Sequence, residues 1–231
     1  MAPLSSTTRA KGTTGRLPNL SCEILGIDII SARARPNMAI LNESTLRSFA
    51  QSRTARAYDS MSGALDKSVR KSAGLSAFDI FLSHSYLDKE LIVGALEYLE
   101  RMRYAVYVDW RDDTQLSRKN ITKQTAATLR ERITQSNALF FATTANASDS
   151  KWMPWELGYM DGKTGRCAIL PISERDTNSN SYQGQEYLSI YPYITTGNDT
   201  HDKNRLWVHE DAQTYVTFEG WVSGKRPTKR D

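Results

Sequence analysis

The stretch SKWMPWELGYMDGK, residues 150–163, surrounds one carboxylate with three large aromatic rings. Glu156 follows Trp152 by four residues, so the two side chains share a face if the stretch is helical. A buried anion is costly unless its charge is paired or put to use. Glu156 is therefore either turned to solvent or held in a pocket, as a charged group beside an aromatic wall.

Pro154 indicates where the helix around Glu156 begins. Proline is tolerated in the first turn of a helix but breaks its interior, so Glu156 lies close to the helix N-terminus. The helix dipole favours the ionised carboxylate at that place. For Trp155 we favour core packing, because one of two tryptophans so close together must face the protein interior.

Alternating apolar runs and amphipathic stretches predict the elements that position Glu156. AFDIFLSHS, from Ala77, has the continuous apolar character of a doubly covered strand, and Asp88 is interpreted as the N-cap of the next helix. The later elements continue the alternation: strand YAVYVDW, helix NITKQTAATLRERITQ, strand NALFFAT, the helix of Glu156, strand CAILPI, two further strands in YLSIYPYITT and RLWVHE, and a closing helix in DAQTYVTFEGWVS.

This order predicts an α/β fold, a flavodoxin-like, doubly wound parallel sheet with helices on both faces. Ligands of such sheets bind outside the carboxyl ends of the strands. Those ends are residues 83–86, 109–113, 143–150 and the segment from Ser173 onward. The stretch that carries Glu156 follows one of them, which favours the pocket over the solvated carboxylate.

Residues 1–76 differ in composition from the rest of the 231-residue chain. They carry eleven Lys and Arg against five Asp and Glu, whereas the remainder has a small net negative charge. The first twenty residues resemble a transit peptide or a disordered tail, and we favour the tail because they show no apolar face. We predict a basic, partly disordered N-terminal extension at 1–76, with a helix at about 42–72, and a folded domain at 77–231.

Composition excludes several classes of function. No apolar run approaches the roughly 20 residues that a membrane span needs, so we expect no membrane partner. Cys22 and Cys167 are far apart, and His201 and His209 lack spaced partners, so we predict no metal site and a reducing cytoplasmic location. The net positive charge lies in the N-terminal extension and not in the folded domain, so we do not expect a nucleic-acid partner.

The successive motifs resemble those of a TIR (Toll/interleukin-1 receptor) domain, in particular bacterial NAD-consuming TIR proteins of the Thoeris antiphage type. The resemblance rests on FDIFLSHS, the helix from Asp88, YAVYVDW with its acidic loop, and SKWMPWELG, and it covers about residues 77–222. The order of the motifs and the spacing of Trp four residues before Glu carry the match. The resemblance does not extend to the first 76 residues.

The resemblance implies a set of site residues and an activity. It makes Glu156 the catalytic residue and Trp152 a wall of the nicotinamide-ribose pocket. Ser83 and His84 match positions that contact the substrate, although His84 is equally well explained as a structural residue at a strand end. Trp110 and Arg111 begin the loop that closes over the substrate and so belong to the implied binding site. The implied reaction cleaves the N-glycosidic bond of NAD, which is a substrate, with no resident cofactor, and yields nicotinamide with ADP-ribose or a cyclic ADP-ribose isomer.

The resemblance leaves a second class of function open, because some TIR domains are non-enzymatic adaptors that act through protein–protein interaction. The pair of Trp152 and Glu156 favours the enzyme. The loop WRDDTQLSRKN lacks the Gly and Pro that are common there in signalling members, which disfavours the adaptor. The family also implies a homo-oligomer and a downstream effector protein. The apolar face predicted within residues 42–72 either supports self-association or packs on its own domain.

Overall fold

The computed structural model describes residues 37–57, 60, 63–64, 74–108, 123–175, 179–184 and 186–230. They belong to one compact unit, Ala34–Asp231. Its strands are β1 (Met38–Ala39), β2 (Leu41–Asn42), β3 (Phe78–Ser83), β4 (Val106–Val108), β5 (Ser136–Thr143), β6 (Cys167–Ser173), β7 (Tyr193–Asn198), β8 (Asn204–His209), β9 (Thr214–Thr217) and β10 (Thr228–Lys229). Its helices are α1 (Glu43–Ala57), α2 (Lys89–Arg101), α3 (Lys123–Thr134), α4 (Trp152–Thr164) and α5 (Phe218–Val222).

A parallel sheet in the order β4-β3-β5-β6-β7 forms the centre of the fold. This is the order of a flavodoxin-like, doubly wound sheet, so the predicted fold class is confirmed. Strands β3, β5 and β6 are almost fully buried because both of their faces are covered, which explains their continuous apolar runs. The register pairs Ser83 with Phe141 and so places the carboxyl ends of β3 and β5 side by side.

Each face of the sheet packs against its own pair of helices. One layer combines Ile80 and Leu82 of β3 with the apolar sides of α1 and α2. The other layer combines Phe81 of β3 with α3 and α4, which contribute Leu129, Ile133, Met153, Leu157 and Met160. Among the helices in the described ranges, none is both long enough and apolar enough to pass through a lipid bilayer.

The C-terminal part of the sheet is antiparallel, which differs from the prediction of a uniformly parallel sheet. Strands β8, β9 and β10 follow β7 as a meander. The closing helix predicted for residues 211–223 is wrong in its first half, which forms β9, and correct only for the short α5. Tyr215, Phe218 and Trp221 recur every three residues and imitate a helix, but Tyr215 pairs with His209 across the sheet.

Residues 37–57 are part of the same unit as the sheet. Strand β1 pairs with β7, and β2 pairs with the end of β6, so residues 38–42 lie between the carboxyl ends of two central strands. Leu46 and Ala50 of α1 are fully buried in the layer that contains α2. The boundary that we placed near residue 76 therefore separates segments that pack against each other. Most of the remaining predicted helical face, from Tyr58 to Val69, lies outside the described residues.

Charged contacts fasten α1 to α2. The buried carboxylate of Glu97 on α2 accepts hydrogen bonds from Arg101, at 2.7 Å, and from Arg53 and Arg56 of α1. Burial acts to raise the pKa of Glu97, but the three guanidinium groups outweigh it, so this pKa lies below its ordinary value. Phe49 of α1 adds an edge-to-face contact with a tyrosine of α2.

Candidate active site

Ser83 and Glu156 form a buried polar pair at the carboxyl edge of the sheet. The hydroxyl of Ser83 donates a hydrogen bond of 2.6 Å to Oε2 of Glu156. Glu156 is 6% exposed and Ser83 is 1% exposed. Because a buried carboxylate without partners is strongly disfavoured, the hydroxyl both satisfies one of its oxygens and fixes the orientation of the group.

Rigid elements hold both members of this pair. Ser83 is the last residue of β3, in the middle of the parallel sheet. Glu156 lies in the second turn of α4, whose inward face buries Met153, Leu157 and Met160. The helix begins at Trp152 with Pro154 in its first turn, as predicted. The carboxylate therefore projects from a helix that is packed on the sheet, at the edge where doubly wound folds bind ligands.

Aromatic side chains surround the start of α4. The rings of Trp152 and Trp155 meet edge to face with centroids 5.3 Å apart, and Trp155 stacks on Tyr159 at 5.8 Å. The guanidinium of Arg130, on α3, lies 5.4 Å from the Trp155 ring. Both tryptophans are half-buried. Both also pack against the core layer that contains Met153, Leu157 and Met160. The core packing predicted for Trp155 is therefore present in part, but its ring is not fully buried because those three residues occupy the inward face of α4.

His84 follows β3 directly and is held as a neutral ring. Its Nδ1 donates to the carbonyl oxygen of Leu82 at 3.0 Å, since a carbonyl can only accept. Surrounding protein atoms lower the pKa of His84 by desolvation, against the opposing effects of that hydrogen bond and of the charge on Asp88. The residue as a whole is half-buried, at the edge of the site.

Asp88 has a different role from the one its position suggests. It precedes α2, but its side chain makes no capping hydrogen bond, so the interpretation as an N-cap is wrong in that respect. Its buried carboxylate accepts hydrogen bonds from the hydroxyl of Thr144 and from Nδ2 of Asn146, the latter at 2.7 Å. Sequence reasoning missed this contact. The available signal was the pair of polar residues at the next strand end, which we did not connect with Asp88.

The structure brings four of the predicted site residues to one edge of the sheet: Ser83, His84, Trp152 and Glu156. A hydrogen bond joins Ser83 to Glu156 directly. Trp110 and Arg111 lie outside the described residues. The roles assigned to all six residues stay predictions.

A doubly wound parallel sheet whose carboxyl edge holds a buried glutamate, four residues after a tryptophan, fits the TIR class of proteins to which the motifs pointed. No family model matches the chain. It is 47% identical, over 148 residues, to a protein of Bacillus cereus (strain MSX-D12) named probable 3′ cyclic ADP-D-ribose synthase ThsB′. That match covers 63% of this chain and 75% of the relative.

A second relative is more distant. A protein of Cytobacillus dafuensis named putative cyclic ADP-D-ribose synthase TIR2 is 34% identical over 96 residues, which are 40% of this chain and 25% of that protein. The chain belongs to the bacterial TIR family of Thoeris type that these relatives represent, as its motifs predicted.

Proposed function

We propose that this protein cleaves the N-glycosidic bond of NAD, releases nicotinamide and closes the remaining ADP-ribosyl group into an isomer of cyclic ADP-ribose, as part of an antiphage response. The observation that carries the proposal is the buried Ser83–Glu156 pair at the ligand-binding edge of a TIR fold. The names of the two relatives support the cyclic product. A non-enzymatic adaptor offers no reason to bury an oriented carboxylate at that edge.

The residue types suit this reaction. When the bond between C1′ and the pyridinium nitrogen breaks, its electron pair stays on the nitrogen and nicotinamide leaves as a neutral molecule. No general acid is needed, and positive charge develops on the ribose. The carboxylate of Glu156, oriented by Ser83, stabilises that charge and binds ribose hydroxyl groups. The Trp152 ring supplies a flat apolar surface for the nicotinamide ring.

The second step decides the product. Water at C1′ of the ribose gives ADP-ribose, whereas a nucleophilic atom of the same molecule gives an isomer of cyclic ADP-ribose, which is one water lighter than ADP-ribose. Both routes release a proton. His84, which directly follows Ser83 at the end of β3, is proposed to contact the substrate near this position. Trp110 and Arg111 are proposed to cover the substrate. We propose that the reaction uses no metal ion and no resident cofactor, so a chelator should leave turnover unchanged.

The test is a product analysis with the purified full chain. Incubation with NAD followed by chromatography and mass spectrometry should yield nicotinamide and a compound one water lighter than ADP-ribose. The Glu156→Gln variant should yield neither. Intact NAD after prolonged incubation of folded protein, at several protein concentrations, would overturn the proposal, and a product with the mass of ADP-ribose would make the protein a hydrolase.

We propose that the active form is a homo-oligomer in the cytoplasm and that the product acts on a separate effector protein, as the family resemblance suggests. The face of α1 does not supply the oligomer contact, because Leu46 and Ala50 are buried against α2. Turnover that stays proportional to protein concentration on dilution, with a monomer in sedimentation, would contradict the oligomer.

A further inference from the structure

We propose that Asp88 is a positioning residue for NAD binding. Its carboxylate connects the loop after β3 to the loop after β5 through hydrogen bonds. This inference rests on the proposed function and adds to it a residue that does not touch the reacting atoms. Asp88 is 5% exposed, and its carboxylate is bonded to Thr144 and Asn146, 56 and 58 residues further along the chain. A buried carboxylate with two fixed donors holds a defined geometry.

The two loops that Asp88 joins carry the edge of the candidate site. The first loop begins with His84, directly after Ser83, and contains a short turn of helix at Tyr86–Asp88. The second loop runs from Thr144 to the start of α4 at Trp152. Within it the hydroxyl of Thr144 also accepts a hydrogen bond of 3.3 Å from the backbone amide of Asn146. One carboxylate and one hydroxyl thus fix the local path of both loops.

A second carboxylate joins the same two strands at their opposite ends. Asp79, at the start of β3, accepts a hydrogen bond of 2.8 Å from the backbone amide of Ala105 and one of 3.4 Å from Nδ2 of Asn137 at the start of β5. It lies at the amino edge of the sheet, away from the ligand-binding edge. Asp79 therefore links β3 to the start of β5 and to the segment before β4, and of the two aspartates it is Asp88 that lies beside the candidate site.

The position of Asp88 predicts a particular kinetic effect. Glu156 and Ser83 are held by α4 and β3, so their pair should survive the loss of Asp88. His84 and the residues before Trp152 depend on the loops. Loss of the carboxylate should therefore weaken substrate binding more than the chemical step, which raises KM and leaves kcat largely unchanged.

Three variants of the full chain test this. Asp88→Ala removes both hydrogen bonds and should raise KM for NAD by about tenfold, the effect of roughly one lost charged hydrogen bond. Asp88→Asn should restore KM close to the wild-type value, because its amide can accept from Thr144 and donate to the amide oxygen of a flipped Asn146. Asp79→Ala, the matched control, should lower thermal stability and leave KM unchanged.

A measurement that does not need turnover separates this inference from the proposed function. Amide hydrogen exchange should become faster in residues 84–88 and 144–151 of Asp88→Ala and stay unchanged there in Asp79→Ala. Thr144→Val, which keeps the size of the side chain, should give a smaller change in the same residues. Equal KM and equal loop exchange in the two alanine variants would overturn the positioning role. Faster loop exchange in Asp88→Ala, together with a wild-type protein that leaves NAD intact, would instead refute only the proposed reaction.

Discussion

The hydroxyl of Ser83 donates a 2.6 Å hydrogen bond to Oε2 of Glu156, although the two residues are 73 positions apart in the chain. Parallel winding creates this contact, because it aligns the end of β3 with the helix that follows β5. Both side chains are buried and projected from packed elements. The negative charge is thus oriented before substrate arrives, which is the condition for strong electrostatic catalysis.

Replacing Glu156 with glutamine should abolish NAD consumption, a loss of at least about 100-fold, because the amide keeps the size and loses the charge. The amide oxygen can still accept from Ser83, so thermal unfolding should be close to that of the wild type. Nicotinamide release and a thermal melt check both points. Undiminished turnover by a variant of unchanged stability would remove Glu156 from the active site.

Ser83→Ala should lower kcat by about tenfold, since it removes the hydrogen bond that orients the carboxylate and leaves one buried oxygen without that donor. Ser85→Ala is the matched control, because Ser85 is also buried and lies two residues further along the chain. Steady-state kinetics of both variants should show a loss for Ser83→Ala alone. Equal losses would indicate that any small change at this strand end is harmful.

Trp152→Ala should lose much of the turnover with a small loss of stability, because the half-buried ring lies on the same helix face as Glu156. Trp155→Ala should keep most of the turnover. Its unfolding free energy should fall by less than the about 3 to 5 kcal/mol of a fully buried tryptophan, since Trp155 packs between Tyr159 and Arg130 near the surface. Chemical denaturation and NAD turnover of both variants decide this, and an inactive Trp155→Ala beside an active Trp152→Ala would reverse the assignment.

The central strands could be predicted from the sequence because their burial is complete. FDIFLS and CAILPIS are continuous apolar runs between polar residues, and the structure places β3 and β6 on them. The antiparallel meander could not be predicted in the same way. Apolar residues at intervals of three, such as Tyr215 and Phe218, suit a helix as well as a strand followed by a turn of helix. Only the pairing of Tyr215 with His209 decides between them.

The candidate site shows the same division between local and long-range information. The spacing of Trp152 and Glu156 and their place after a strand are local features, and they predicted which helix carries the carboxylate. The orientation of Trp155 depends on how α3 packs beside it, where Arg130 lies against its ring. The hydrogen bonds of Asp88 depend on the path of the loop after β5, which carries Asn146. An aspartate before a helix is most often a cap, so its preference for Thr144 and Asn146 could be seen only in three dimensions.

Acidification should destabilise the protein in part through His209. This residue is fully buried, its Nε2 accepts from the hydroxyl of Thr195 at 2.8 Å, and its Nδ1 donates to the carbonyl of Asp211. Burial lowers the pKa of His209 below the ordinary value of 6.5. Below that pH the unfolded chain binds a proton that the folded protein excludes, so stability is complete above it and falls as the pH drops toward the folded pKa.

Urea denaturation at pH 7.5 and at pH 5.5 measures this effect of His209. His209→Gln should be less stable than the wild type at the higher pH and should lose less stability on acidification. A residual pH dependence should remain, because the pKa of His84 is lowered in the same direction. An identical pH dependence in the two proteins would mean that the pKa of His209 is the same in the folded and the unfolded protein.

Gly94→Ala should destabilise the protein by about 1 to 3 kcal/mol, although alanine is ordinarily the better helix former. A methyl group at residue 94 would lie 2.6 Å from the carbonyl carbon of Leu46 and closer still to its oxygen, so α1 would have to move away from α2. Backbone atoms of a packed helix cannot shift locally as a flexible side chain can. The glycine is therefore the reason that these two helices approach so closely.

Gly162→Ala is the matched control for Gly94→Ala, because nothing lies within 4 Å of a methyl group added to Gly162 on α4. It should stabilise the protein by about 0.5 to 1 kcal/mol through helix propensity alone. Denaturation curves of the two variants should thus shift in opposite directions. A Gly94→Ala protein as stable as the wild type would show that α1 does not pack closely against α2 at this point. It would also mean that α1 contributes little to the stability of the folded protein.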